Sequence, residues 1–277
     1  MNPLRQPPEL QAPILQAPIL QAPVLQAPVL EVEALGRRFG AFTALEDVSA
    51  VFGKERITAI IGPNGAGKST LFNLLSGALA PTAGRLRFGG RDMTRVPQAR
   101  FAHLGIARSY QITNVFPRLT AHENLRTAMQ ARASRYDFWS RRDALTDLAQ
   151  RADALLADIG LAGRRDRPAA SLAHGEQRAL EIGIALASDP KLLLLDEPTA
   201  GMGPEETKEM VALLRRLGET RTILLVEHKM KMILGLSERI LVLHHGRLIA
   251  DGSPAEIQAD REVRRVYLGQ SGGYGHA

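Results

Sequence analysis

Short and nearly continuous apolar runs recur along the chain, and they predict strands that are buried on both faces. The runs lie at 56–61 (RITAII), 191–196 (KLLLLD), 222–226 (TILLV) and 240–243 (ILVL). Runs of this kind are typical of parallel strands with helices between them. The sequence therefore predicts an α/β protein that is organised around a parallel sheet.

Other strand-like stretches surround the first of these runs. They are 31–35 (EVEAL), 48–52 (VSAVF) and 85–88 (RLRF), the last followed by Gly89–Gly90. The first two predict strands that lead to the parallel sheet, and the third predicts a hairpin arm. The segment 35–40 (LGRRFG) lies between the first two and offers Phe39 as an exposed aromatic side chain.

Between about Pro97 and Ala170 helical patterns dominate, apart from 105–111 (GIARSYQ). Apolar residues recur at helical spacing across 144–159. Thr120 and Glu123 have the spacing of a capping box, which predicts that a helix follows them. This stretch is predicted to be a helical subdomain inserted into the α/β core.

The N-terminal region has a different character, because 11–30 reads QAPIL, QAPIL, QAPVL, QAPVL. A proline at every fifth residue removes backbone donors and prevents a helix or a central strand. We predict that 1–30 is extended or polyproline-like and mostly disordered. It could be a docking arm for a partner, or the true start could lie near Leu30, and in either case it is not needed for the chemistry below.

Composition narrows the possible functions. The chain of 277 residues has no cysteine, which excludes disulfides, thiolate catalysis and zinc–thiolate sites. Its net charge of +6 comes mainly from scattered arginines without interleaved aromatic residues, which favours a solvated basic face over a nucleic-acid site. No apolar run approaches the roughly 18 residues of a membrane span, and no secretion signal is evident. We expect a soluble chain in a reducing cytosol.

The segment Gly62–Thr70 (GPNGAGKST) carries the most specific chemistry. It has the pattern G-x-x-x-x-G-K-S between a predicted strand and a predicted helix that ends near Gly77. Glycines allow backbone N–H groups to converge on a phosphate, and the helix adds its positive N-terminal end. Lys68 is predicted to reach the β- and γ-phosphates and Ser69 to ligate Mg²⁺.

Two further segments complete this chemistry. Asp196 and Glu197 stand at the end of a buried strand, where we expect Asp196 to hold Mg²⁺ with Ser69 and Glu197 to act as general base toward water. Gly175 precedes a second predicted helix, 176–187, whose N-terminus is another anion site. One ATP does not easily need both helix ends, so a second copy or a homologue is expected to present this one across an interface.

The order GPNGAGKS, Gln111, LAHGEQ, LLLLDEP and His228 resembles the ATP-binding subunits of ABC transporters over nearly all of 31–269. The resemblance implies a P-loop NTPase (RecA-like) core with an antiparallel β subdomain and an inserted α-helical subdomain. It also implies that Phe39 stacks on adenine, that Gln111 senses Mg²⁺ and water while coupling to the permease, and that His228 contacts the γ-phosphate and positions Glu197.

The residue assignments that follow are these. The nucleotide-binding residues are Phe39, Gly62, Pro63, Asn64, Gly65, Ala66, Gly67, Lys68, Ser69 and Thr70; the catalytic residues are Lys68, Gln111, Glu197 and His228; the Mg²⁺ ligands are Ser69, Gln111 and Asp196; and the signature residues, which contact the ATP of the partner subunit, are Ser171, Leu172, Ala173, His174, Gly175, Glu176 and Gln177. The predicted domains are 1–30 (repeat extension), 31–96 with 171–250 (nucleotide-binding core), 97–170 (helical subdomain), 251–269 (helical tail) and 270–277 (flexible terminus).

Finer motifs, among them SYQITNVFPRLTAHENL, DEPTAGMGPEET and LLVEHKMKMI, are similar to the branched-chain amino-acid uptake group, and in particular to its larger ATPase subunit. Urea and short-chain amide importers belong to the same wider group. The resemblance implies ATP and Mg²⁺, a second ATP-binding subunit (a heterodimer, or a homodimer in isolation), two transmembrane permease subunits, an external solute-binding protein and no nucleic acid. It implies a cytoplasmic protein that is peripheral on the inner face of the membrane.

The sequence departs from the general family pattern at the signature and after the DEPT motif. Ala173, His174 and Glu176 replace Ser, Gly and Gln of LSGGQ, and Gly203 replaces an Asp. Loss of one hydroxyl hydrogen bond at Ala173 is expected to weaken the contact by ~1 kcal/mol. A lipid or lipopolysaccharide exporter is the main rival function. Translation or DNA-repair ATPases would need a second cassette or a long insertion, and a regulator without turnover would not need Glu197 and His228.

Overall fold

The computed structural model describes residues 29–109, 115–130 and 142–268. The repeat extension up to residue 28, Gln111 and the terminus 270–277 lie outside these ranges, so the predictions made for them stay predictions.

The strands in chain order are β1 (Leu30–Phe39), β2 (Phe42–Phe52), β3 (Ile57–Ile61), β4 (Ala83–Phe88), β5 (Arg91–Asp92), β6 (Ile106–Ser109), β7 (Leu192–Asp196), β8 (Thr222–Val226), β9 (Arg239–His244) and β10 (Arg247–Gly252). The α-helices are α1 (Lys68–Leu75), α2 (Phe101–Leu104), α3 (Ala121–Gln130), α4 (Arg142–Asp158), α5 (His174–Leu186), α6 (Pro204–Gly218), α7 (Met230–Leu236), α8 (Pro254–Ala259) and α9 (Arg261–Val263), the last followed by a π-helical turn, Arg264–Leu268.

The central sheet has the strand order β10-β9-β3-β8-β7-β6. Its members from β9 to β6 pair in parallel, and β10 is antiparallel to β9. Every residue of β3, β7 and β8 is buried, as the continuous apolar runs predict. The predicted strands of the parallel core are therefore confirmed.

Alternate residues of these strands face two different hydrophobic clusters. Ala59 and Ile61 pack in the cluster that includes residues of α3 to α7, whereas Ile60 packs with α1 and the antiparallel sheet. That second sheet has the order β2-β1-β4-β5, and it includes the predicted hairpin arm. Helix α1 thus lies between two sheets, with Leu71 and Phe72 fully buried.

Two segments differ from the sequence-based prediction. Strand β1 continues to Phe39 and turns directly into β2, so 35–40 belongs mainly to a strand and not to a link between strands. Strand β6 lies in the segment 105–111 that we except from the helical pattern, but we assign that segment to the helical subdomain 97–170, whereas the strand pairs with β7 in the central sheet. It is the fifth parallel strand of that sheet, and its Ile106 is buried.

Helices α3, α4 and α5 pack closely in the helical region. The capping box at Thr120 is confirmed, since its hydroxyl accepts from the Glu123 N–H at 3.1 Å and its own N–H donates to Glu123 Oε2 at 2.8 Å. Helix α4 contains the predicted periodic stretch 144–159 except for its last residue, Ile159. Gly183 on α5 permits the close approach, because a Cβ there would lie 2.7 Å from Ile159 Cδ1. None of the described helices has the length and apolar content that a membrane span requires.

The first two described residues, Val29 and Leu30, make contacts with the antiparallel sheet. The Val29 N–H donates to Phe52 O at 2.8 Å, and Val29 O accepts from the Gly89 N–H at 3.0 Å. Leu30 is fully buried, so the strand starts one residue before the predicted domain start at 31.

Two truncations test this boundary. A chain that starts at Val29 should unfold at the native denaturant midpoint and keep ATP hydrolysis, because it retains every contact of β1. A chain that starts at Glu33 removes the buried side chains of Leu30 and Val32 and should lose roughly 3 to 6 kcal/mol of stability. Urea unfolding measures the stability of both chains. Loss of turnover in the chain that starts at Val29 would contradict the prediction that the repeat is dispensable.

Candidate functional site

The loop between β3 and α1 has a backbone that only glycine fits at two points. Gly62 has φ +154°, and a Cβ there would lie 2.2 Å from Leu243 O on the neighbouring strand. Gly67 has φ +101°, and its Cβ would lie 2.8 Å from Ala44 O. The loop is therefore pressed against β9 and β2 while its N–H groups remain at the start of α1, where an anion is favoured.

The Lys68 ammonium lies over this loop. Its Nζ donates to the carbonyl oxygens of Gly62 at 2.7 Å and Pro63 at 2.9 Å. Burial lowers the pKa of Lys68, and the negative charges of Glu197 and Asp196 oppose that shift. The side chain thus sits as a partly desolvated cation between the loop and two carboxylates, where a phosphate group would meet it.

One cavity of about 340 Å³ brings the loop and the carboxylates together. Its polar lining includes Asn64, Gly65, Gly67, Lys68, Ser69, Thr70, Asp196 and Glu197. Ser69 and Asp196 supply a hydroxyl and a carboxylate, which are hard oxygen ligands of the kind that Mg²⁺ prefers. The donor set therefore fits this ion, and the third predicted ligand, Gln111, lies outside the described residues.

Asp196 is held by a residue that the sequence analysis did not single out. Arg108 Nη2 lies 3.1 Å from Asp196 Oδ2, and both side chains are nearly buried. Arg108 Nη1 also donates to Asn73 Oδ1 on α1 at 2.6 Å and to Ser76 Oγ, the C-cap of that helix, at 3.0 Å. The isolated arginine within the strand-like GIARSYQ segment was the signal for this partner, because a charge in a buried strand needs one.

Glu197 and His228 lie close to each other and line a cavity with Lys68. Glu197 has a left-handed backbone, with φ +45°, and its Oε1 lies 3.8 Å from His228 Nδ1. Both side chains line a second cavity, of about 640 Å³, together with Gly62, Pro63 and Lys68. The carboxylate and the imidazole therefore face the space beyond the end of the phosphate loop.

Glu227 is a second residue that the sequence analysis missed. Its carboxylate is almost fully buried and accepts at Oε1 from the Thr199 N–H at 2.9 Å and the Thr199 hydroxyl at 2.6 Å. Its Oε2 accepts from the His228 N–H at 3.1 Å. Glu227 thus joins the loop after Glu197 to the strand end that carries His228. An acidic residue directly after the apolar run TILLV was the available signal.

The signature segment begins α5 at His174, two residues before the predicted helix start, and Ala173 is the N-cap. The Ala173 N–H donates to Glu176 Oε2 at 3.0 Å, and Glu176 Oε1 pairs with Arg164 at 2.6 Å. Gln177 Nε2 donates back to Leu172 O at 3.1 Å. The departures from LSGGQ thus still form a regular helix N-terminus.

Glu206 accepts from one N–H of this segment and from the N–H of Gly203, the N-cap of α6. Its Oε1 accepts from the Gly175 N–H and its Oε2 from the Gly203 N–H, each at 3.1 Å. These backbone hydrogen bonds, that of Gly203 first, lower the pKa of Glu206. His174 Nε2 lies 3.0 Å from Ala200 O, so the signature turn packs against the loop that follows Glu197.

The structure therefore brings some predicted residues together and leaves others apart. The phosphate loop, Asp196, Glu197 and His228 surround one continuous region. Gly175 and Glu176 instead line a separate cavity with Glu206. Phe39 is exposed at the end of β1, and the guanidinium of Arg37 lies 4.6 Å from its ring centroid.

Comparison with known protein families shows to which family the chain belongs. The family described as ABC transporter matches residues 45–200, which is more than half of the chain. The chain belongs to the ABC transporter family. A further family, described as branched-chain amino acid ATP-binding cassette transporter, matches residues 247–272. The predicted family is thereby confirmed, and the cassette is the ATPase component of such a transporter.

Curated relatives and solved structures agree with this assignment. The cassette is 38% identical over 248 residues to the high-affinity branched-chain amino acid transport ATP-binding proteins LivG of Salmonella typhimurium and Escherichia coli K12, covering 87% of this chain and 97% of theirs. It is 35% identical over 248 residues to BraF of Pseudomonas aeruginosa, with the same coverage. The ADP conformation of MJ1267, an ATP-binding cassette of an ABC transporter, superposes with a TM-score of 0.78 at 30% identity, covering 88% of this chain and 99% of that one. The predicted fold class is confirmed.

The steric demand at the phosphate loop can be tested with two alanine substitutions. Gly62→Ala should cost roughly 2 to 5 kcal/mol, because it combines a strained φ with a backbone clash. Gly65→Ala has a positive φ but open space around its Cβ, and it should cost about 1 to 2 kcal/mol. Equal free energies of unfolding for the two variants would contradict this explanation of the loop.

Proposed function

We propose that this cassette hydrolyses ATP to power the uptake of branched-chain amino acids. The match of residues 247–272 to the branched-chain family carries the choice of solute, and it is supported by the relatives LivG and BraF. The Haemophilus influenzae relative, a lipopolysaccharide export system ATP-binding protein named LptB, is 33% identical over 243 residues. An exporter of lipid or lipopolysaccharide and an importer of urea or short amides are the alternatives that the experiments must exclude.

Lys68 and the loop around it hold the phosphates in this proposal. The loop N–H groups and the α1 N-terminus offer donors, and the Lys68 ammonium can exchange its two carbonyl contacts for phosphate oxygens. Ser69 and Asp196 would hold Mg²⁺, with Gln111 as the third protein ligand that the resemblance implies. When bound, this ion neutralises charge on the phosphate oxygens. Phe39 stacks on the adenine.

Glu197 acts as the general base. Its carboxylate borders the space in front of the phosphate loop, where it can accept a proton from the attacking water. His228, 3.8 Å from that carboxylate, contacts the γ-phosphate and helps to position it. Phosphoryl transfer needs mainly positioning and charge stabilisation, which is what this set of side chains supplies.

The working unit is a pair of cassettes. The signature segment of one chain lines a cavity separate from its own phosphate loop, so it serves the nucleotide of a partner cassette. The partner is a second ATP-binding subunit, or a second copy in isolation. Two permease subunits and an external solute-binding protein complete the importer, and the cassette works at the inner face of the membrane without nucleic acid. Closure of the pair moves the permeases.

Replacement of the base is the direct test of hydrolysis. Glu197→Gln should retain ATP binding but lose roughly a hundredfold or more of its turnover, because the amide cannot accept the proton. Glu205→Gln is the matched control, since this exposed side chain pairs only with Lys208 among the ion pairs of the described residues. Phosphate release and fluorescent-nucleotide binding measure the two effects. Undiminished turnover in Glu197→Gln would show that the base is misassigned.

The solute is tested by recovering the membrane partners with the full-length cassette and identifying the companion solute-binding protein. Leucine, isoleucine and valine should raise the thermal midpoint of that binding protein, and the reconstituted transporter should accumulate them when ATP is supplied. Urea or a short amide in their place would replace the solute but keep the importer. Extraction of lipid would overturn import itself.

A further inference from the structure

A buried ion pair on α5 reaches the main chain of the two proposed active-site carboxylate residues. The Arg178 and Glu181 side chains are 10% and 7% exposed, and Arg178 Nη1 lies 2.6 Å from Glu181 Oε2. Arg178 Nη2 donates to Asp196 O at 2.6 Å and lies 3.4 Å from Glu197 O. One guanidinium therefore binds a carboxylate with one nitrogen and two consecutive main-chain carbonyls with another.

One of these carbonyls belongs to Glu197, whose backbone is strained. Glu197 has φ +45°, a conformation that non-glycine residues rarely adopt and that the surroundings must enforce. Its N–H donates to Val226 O at 2.9 Å, and its carbonyl accepts from the Ala200 N–H at 3.1 Å. Arg178 adds a charged donor to these two backbone hydrogen bonds. The conformation of Glu197 is thus fixed from β8, from the following turn and from α5.

Arginine suits this task because its planar fork presents several donors in fixed directions. Glu181 neutralises the guanidinium and orients it, which removes the cost of an unpaired buried charge. A buried ion pair is a weak source of stability compared with well-packed apolar residues of the same size. Arg178 donates to the carbonyls of Asp196 and Glu197, and apolar side chains could not replace it there because they have no donor.

We propose that Arg178 is a positioning residue for hydrolysis, which holds Glu197 in its left-handed conformation so that the carboxylate faces the attacking water. The inference rests on the proposed role of Glu197 as general base. Arg178 is not among the residues that line the two cavities at the phosphate loop, and its loss should therefore reduce kcat while leaving KM and nucleotide affinity unchanged.

A double substitution separates positioning from folding. Arg178→Met with Glu181→Leu replaces the ion pair by apolar side chains and leaves no buried charge behind. In the full-length chain it should melt within a few degrees of the native protein and bind a fluorescent ATP analogue with native affinity, while its kcat falls at least tenfold. A double variant that keeps both the native thermal midpoint and the native kcat would overturn the proposal.

Two conservative variants extend the test. Arg178→Lys keeps a cation beside Glu181 but presents a single ammonium, so kcat should fall several-fold at unchanged KM. A native kcat in this variant would overturn the proposal, and this test holds even if the double variant does not fold.

Glu181→Gln keeps an acceptor for Arg178 and should keep kcat within about twofold of native, because the guanidinium retains its carbonyl contacts. A tenfold loss in Glu181→Gln with native affinity would assign the effect to the carboxylate and overturn the role of Arg178.

The controls distinguish this inference from the proposed function. Arg215→Met removes another arginine that donates to a main-chain carbonyl, that of Gly235 on α7 at 2.8 Å, and it should leave kcat unchanged because Arg215 lines neither cavity at the phosphate loop. Glu197→Gln is measured in parallel. If it retains turnover, the assignment of the base has failed; if only the Arg178 variants retain turnover, the positioning inference has failed and the base stands.

Discussion

The parallel pairing of β3, β8 and β7 is the constraint on which the rest of the structure depends. In this register Ile60 and Asp196 both pair with Val226, so the three strands end at the same edge of the sheet. The phosphate loop, the two carboxylates and the Glu227–His228 pair follow those ends directly. Because each strand is buried on both faces, a shift in register would displace the apolar side chains together with the site, and packing therefore fixes the geometry of the chemistry.

Charge balance around that edge explains why several acidic groups can lie close together. Asp196 pairs with Arg108, Glu227 accepts three hydrogen bonds from Thr199 and His228, and Glu181 pairs with Arg178. A buried carboxylate without such partners would be strongly disfavoured. Glu197 differs from these carboxylates, since it is partly exposed and combines a strained backbone with a nearby imidazole, which suits its proposed role as general base toward water.

At the signature turn, a backbone N–H group is likewise paired with a charged side chain. The N–H groups at a helix start need acceptors. Glu206 accepts from the Gly175 N–H at the start of α5 and from the Gly203 N–H at the start of α6, and thereby links the signature turn to the loop after Glu197. In the proposed dimer this turn faces the nucleotide of the partner, so a phosphate and the Glu206 carboxylate would compete for the Gly175 N–H. In the free cassette, the Glu206 carboxylate therefore caps the N-terminus of α5.

The sequence by itself determined the buried strands, the capping box at Thr120, the phosphate loop and the family, because these depend on local periodicity and on residue types at fixed spacing. It did not determine that β6 joins the central sheet, since four residues carry too little periodicity to show which element they pair with. It also did not determine which residues Arg108, Arg178, Glu206 and Glu227 contact, because these contacts join residues that are distant in sequence, 88 positions apart for Arg108 and Asp196. Only the packing of the tertiary structure decided which charge meets which carboxylate or carbonyl, because desolvation makes each of those pairings necessary at one place in the fold.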